Sequence, residues 1–150
     1  MPEFYTIQDI LSFAIRLEQA SQEFYQQLSG KVDKEAVSRY LLRLAHEEEI
    51  HEAQLRQLLE EQGSQLNRSI SADEVKSYVE AMDIPQELNY TAAVKLAMNK
   101  EKAAQMLYTV LAGVMEDKSL KDIFLLLSAQ EKAHRAFFEK EYRRIHVGEN

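Results

Sequence analysis

Residues 44–55 read Leu44-Ala-His-Glu-Glu48-Glu-Ile-His51-Glu-Ala-Gln-Leu55, and residues 127–138 read Leu127-Ser-Ala-Gln-Glu131-Lys-Ala-His134-Arg-Ala-Phe-Phe138. Both place an apolar residue, Glu, His and a second apolar residue four, three and four positions apart, which is one face of an α-helix. Each run lies inside a longer stripe with the same alternation. The first is Val37, Leu41, Leu44, Glu48, His51, Leu55 and Leu58; the second is Leu120, Phe124, Leu127, Glu131, His134 and Phe138. The predicted helices run from about Lys34 to Gln62, between an Asp33 cap and Gly63, and from about Leu120 to Ile145. The polar tail from His146 to Asn150 is expected to leave the helix.

Two further stripes share the pattern. Ile7, Leu11, Ala14, Glu18, Ser21, Tyr25 and Leu28 mark a helix from Thr6 to Ser29, with Thr6 as N-cap, Asp9 in the reciprocal position and Gly30 as the stop. Tyr90, Val94, Ala97, Glu101, Ala104, Tyr108 and Leu111 mark another from Tyr90 to Ala112, capped by Asn89. Residues 64–89 change character and hold one short predicted helix, with Ser71 as cap, Glu74 in the capping-box position, then Val75 and Val79. They read as a crossover and not as a linker between domains. Four long amphipathic helices with two short connections and one long central one predict a single all-α domain over residues 1–150. The architecture is an up-down four-helix bundle of the ferritin-like variety, with its crossover between helices 2 and 3.

The two halves align without a gap at an offset of 83 positions. From Ala14 to Leu59 the 46 aligned pairs include 12 identities, about twice what helical composition alone would give. Glu18 lies over Glu101, Tyr25 over Tyr108, Gly30 over Gly113, Glu48 over Glu131 and His51 over His134. A hairpin duplicated for packing explains repeated Ala, Leu and Gly. It does not explain a Glu in mid-stripe on all four helices with a His one turn further on two of them.

Composition narrows the function. The chain has 150 residues, is 45% hydrophobic and 29% charged, and carries a net charge of −7 with 25 acidic against 18 basic side chains. That balance argues against nucleic acid or an anionic membrane surface as partner. Zero Cys excludes disulfides, thiolate zinc sites, thiol catalysis and iron–sulfur clusters. No apolar run is long enough to span a membrane, and the start MPEFYTIQD lacks the pattern of a secretory signal, so a cytoplasmic protein is expected.

Four carboxylates in one desolvated layer would repel each other, and burying an unpaired ion costs several kcal/mol. No Lys or Arg is expected to share the same inward layer and neutralise them. Two divalent cations would balance four Glu charges. Glu48 with His51, and Glu131 with His134, leave one helix face a turn apart, while Glu18 and Glu101 add one carboxylate each. This is the ligand set of carboxylate-bridged di-iron and di-manganese bundles. If Glu48 and Glu131 bridge, each metal has about five donors and roughly one open position, as a reactive site needs. Oxygen-rich ligation with one imidazole suits Fe or Mn, and Zn could occupy the site as purified.

The sequence resembles the rubrerythrin branch of the ferritin-like superfamily. The resemblance is carried by Ala14-Ile-x-x-Glu18 with Phe24-Tyr25, Leu44-Ala-x-x-Glu48-x-x-His51, Ala97-Met-x-x-Glu101 with Leu107-Tyr108, and Leu127-Ser-x-x-Glu131-x-x-His134. It implies two iron ions, with Glu48 and Glu131 bridging, Glu18 and Glu101 as terminal ligands, and His51 and His134 binding one metal each. It also implies an oxidoreductase that reduces hydrogen peroxide or O2. Two departures stand out. The four-cysteine rubredoxin-like domain of rubrerythrins is missing from this sequence, so a separate electron-donor protein is expected. The extra Glu that many members carry one turn after the third-helix ligand is Ala104 here, with Ser21 as its repeat mate; that Glu is tied to efficient peroxidase activity.

Tyr25 and Tyr108 follow the terminal Glu residues by seven positions on the same stripe and are expected to hydrogen-bond a metal-bound carboxylate. His46 points off the metal face, and Glu47, Glu49 and Glu52 are expected to face solvent. A homodimer is expected. The competing readings are a ferroxidase or iron-handling protein, in which Fe(II) is the substrate, and a non-catalytic helical interaction module.

Overall fold

The inward stripes of the sequence are the buried faces of the structure, a computed structural model that describes residues 3–61, 65–71 and 89–148. The chain divides into two units, Met1–Ala72 and Asp73–Asn150, which coincide with the two halves of the repeat. In the first unit a short strand β1 (Glu3–Thr6) leads into α1 (Ile7–Ser29), followed by α2 (Glu35–Glu61) and β2 (Gln65–Ser71). In the second, α3 (Tyr90–Val114) is followed by α4 (Lys118–Gly148).

Each unit is an antiparallel helical hairpin with a short turn. In the first, Leu11, Ala14, Tyr25 and Leu28 of α1 are buried with Leu41, Leu44, Leu55 and Leu58 of α2. In the second, Val94, Ala97, Tyr108 and Leu111 of α3 are buried with Leu120, Phe124, Leu127 and Phe138 of α4. Burying such side chains supplies about 1.5–3 kcal/mol each for the larger ones.

The helix ends follow ordinary capping chemistry with some departures. Asn89 accepts from the Ala92 amide at 2.8 Å, and Asp117 accepts from the Leu120 amide at 3.1 Å. The second cap starts α4 two residues before the Leu120 expected from the stripe. Gly30 does follow the end of α1, but Gly113 lies inside α3, with open space where a side chain would project, and stops nothing. At the far end α4 continues to Gly148 instead of releasing its tail. The Tyr142 and His146 rings, one turn apart, lie edge to face at 4.2 Å and extend the helix surface.

The crossover also differs from expectation. Its first part is β2, antiparallel to β1 with Phe4 opposite Ile70 and Thr6 opposite Gln65, and an irregularity between Phe4 and Thr6. Ser71 ends this strand. The predicted short helix at Glu74, Val75 and Val79 lies outside the described residues.

Polar clamps tie each hairpin beside its core. Gln22 and Gln19 of α1 donate to Glu52 of α2 at 2.8 and 3.1 Å, and Arg56 pairs with the same carboxylate at 2.7 Å. In the second hairpin Arg135 of α4 donates to Gln105 of α3 and pairs with Glu139 at 3.2 Å. Near the opening of α3 the Tyr90 hydroxyl donates to the buried Glu141 carboxylate at 2.8 Å, and Arg144 holds the same group.

Burial, then the hydrogen bond to Glu141, pushes the Tyr90 phenol well above its ordinary range. A proton retained in the folded state adds stability below the unfolded value of about 10 and loses that contribution as pH rises past it. Tyr90→Phe should therefore cost about 1 kcal/mol at pH 8. Its deficit relative to the parent should shrink at pH 10.5, as denaturant titrations at the two pH values will show.

Candidate metal centre

Helical spacing brings together one triad in each hairpin. In the first, Glu18 on α1 faces Glu48 and His51 on α2. His51 Nδ1 stands 3.7 Å from Glu18 Oε2 and 3.8 Å from Glu48 Oε1. In the second, Glu101 on α3 faces Glu131 and His134 on α4. His134 Nδ1 stands 3.6 Å from Glu101 Oε2 and 3.9 Å from Glu131 Oε2. All four carboxylates are 0% exposed, and both imidazoles are buried. Within each triad every residue offers a ligand atom within 4.8 Å of the others.

These donor pairs are spaced beyond hydrogen-bond range. Two donors bound to one cation at about 2.0–2.2 Å stand about 3–4 Å apart, which is the spacing here. Two carboxylates and one imidazole per triad, without sulfur, fit Fe, Mn or Zn. The residues present therefore fit the metal that the sequence pattern implies, and the near-identity of the two triads carries the repeat from sequence into geometry.

The side chains around the triads are apolar or satisfied close by. Tyr25 and Tyr108 are completely buried; the Tyr25 ring meets Phe24 edge-on at 5.2 Å and the Tyr108 ring stacks on Phe124 at 6.0 Å. Ser21, one turn after Glu18, donates to the Leu17 carbonyl at 3.0 Å, and Ala104 fills the matching place after Glu101. His46 is exposed beside Glu49, as expected. Glu52 is not the solvent-facing group expected. Burial opposes its ionisation, yet hydrogen bonds from Gln22, Arg56 and Gln19 outweigh that and hold its carboxyl below the ordinary range.

One residue overturns an expectation about charge. Lys100 is 0% exposed, and its Nζ lies 3.8 Å from Glu101 Oε1. A cation does share the buried layer, in the second hairpin. It falls outside the stripe through Ala97, Glu101 and Ala104 but inside the adjoining buried row of Ala93, Ala103 and Leu107. Its repeat mate is Leu17, and that apolar partner is the one sequence signal that the position faces inward.

The Rubrerythrin family profile matches residues 9–142. A hypothetical protein of Pyrococcus furiosus has a TM-score of 0.69 and 23% identity over 92% of this chain and 89% of that one. A Thermotoga maritima protein described as ferritin-like diiron-carboxylate has a TM-score of 0.73 and 24% identity over 95% of this chain and 98% of that one. No curated protein matches the chain. At these identities the likeness shows the fold, an all-α, ferritin-like four-helix bundle. The family match takes in all six triad residues and nearly the whole chain, which belongs to the Rubrerythrin family.

Proposed function

We propose that the protein is a non-haem di-iron oxidoreductase that reduces hydrogen peroxide or O2. The observation that carries this reading is the same buried triad built twice, once in each hairpin. Family membership supports it, as does the name of the Thermotoga maritima protein, which describes a diiron-carboxylate centre. Glu18, Glu48 and His51 in one hairpin, and Glu101, Glu131 and His134 in the other, are the residues that would hold the metal ions. When bound, two ferrous ions supply one electron each to a two-electron reduction.

The chain's own residues set the conditions for that chemistry. Each His turns Nδ1 toward its carboxylates, the position from which that nitrogen's lone pair would bind a cation, with the ring proton then on Nε2. Burial among Leu, Ala and aromatic side chains keeps water out and strengthens every charge interaction inside. Tyr25 and Tyr108 orient ligand carboxylates through their hydroxyls. At Ser21 and Ala104 no carboxylate stands ready to move a proton, so proton delivery depends on the ligand set and solvent. Electrons come from a separate donor protein. The chain acts as a cytoplasmic homodimer; among the described residues no helix is long and apolar enough to cross a membrane.

Three outcomes test the reading. Metal-free protein loaded anaerobically with two Fe(II) per chain should consume one hydrogen peroxide per pair of irons and keep its iron through repeated reduction. Peroxide loss no faster than with free Fe(II), or iron released on each cycle, would overturn the oxidoreductase. Glu48→Gln should raise stability by roughly 1–3 kcal/mol in chelator, where it relieves a buried charge. With excess Mn(II) it should instead fall below the parent, which gains about 2.7 kcal/mol at a hundredfold excess over Kd. Thermal melts with and without metal read both signs. Tyr25→Phe should weaken metal binding by about 10- to 100-fold with the fold intact by circular dichroism.

A further inference from the structure

The two triads match in donors but not in charge. In the first hairpin the buried charged groups are Glu18 and Glu48, and the residue before Glu18 is Leu17. In the second they are Glu101 and Glu131 together with Lys100, whose ammonium lies 3.8 Å from Glu101. Glu141 is also buried there, but Tyr90 and Arg144 hold it at another point along α4. Because the donors match, Lys100 gives the second triad one positive charge that the first lacks.

We infer that Lys100 makes the two triads unequal, so that cations load in order, the Glu18, Glu48 and His51 triad first and the Glu101, Glu131 and His134 triad second. The inference rests on the dinuclear reading above and adds to it the sequence of loading and the residue that sets it. The ammonium acts in two ways. It partly neutralises Glu101 before a metal arrives, so less is gained when a cation replaces it. It also repels the incoming cation at short range in a place shielded from bulk solvent. A unit charge a few ångströms from a divalent ion shifts affinity by at least about tenfold even with water-like screening. Leu17 imposes neither effect on the first triad. Lys100 is thus a positioning residue for the metal and not a ligand.

Calorimetric titration of the metal-free full chain with Mn(II) tests this without recourse to activity. Two binding steps should appear, with dissociation constants at least tenfold apart. Lys100→Leu, which copies Leu17, should tighten the weaker step until the two differ by about threefold or less. Lys100→Met should do the same and guards against a packing defect peculiar to one substitution, while circular dichroism verifies the fold of both. His51→Ala should abolish the tight step and His134→Ala should leave it.

Two equal steps in the parent would overturn the inference and leave the dinuclear reading standing. So would an unchanged separation in the properly folded Lys100 variants, or a tight step lost in His134→Ala and kept in His51→Ala. Absence of any Mn(II) binding would overturn the dinuclear reading and this inference with it.

Discussion

Carboxylates held out of reach of bulk solvent are the constraint on which the rest of this structure depends. Each hairpin places two glutamates at 0% exposure within a stripe of Leu, Ala and aromatic side chains. An isolated buried ion costs several kcal/mol, comparable with the whole stability of a small domain. The compensating attraction must therefore be local and geometrically fixed. Long regular helices satisfy that demand, because a residue three or four positions away is delivered to the same face without any loop having to close.

The fold was legible for the same reason. A period of 3.6 residues does not depend on whether a stripe position is Leu or Glu, so the stripes through Glu18, Glu48, Glu101 and Glu131 place all six donors on buried faces. What stayed hidden was anything that does not repeat with that period. Gly30 and Gly113 are identical letters at matching positions, yet the first follows a helix and the second sits inside one. The pairing of β1 with β2 joins segments some sixty residues apart, which no local window sees. Lys100 was missed because a long apolar stem ending in a charge reads as a surface residue unless its repeat mate is consulted.

Duplication supplies the comparison that a single hairpin could not. Most buried positions keep their type between the halves, but at two of them an apolar residue in one half stands against a charged one in the other. Leu17 stands against Lys100, and Leu58 against Glu141. Both charged versions lie in the second hairpin, which has the richer buried electrostatic environment around the same donor triad.

The polar clamps beside the core record how such divergence can proceed. Glu52 with Arg56 and Arg135 with Glu139 occupy equivalent places and form the same one-turn ion pair with its polarity inverted. Gln22 and Gln105, also equivalent, serve these opposite partners, one giving a hydrogen from its amide nitrogen and the other offering its oxygen. A primary amide presents both edges, so it tolerates a reversal of sign that a carboxylate or guanidinium in its place would forbid. That ambidexterity lets the two hairpins carry opposite charges at this place on their rims without disturbing the helix register that each interior requires.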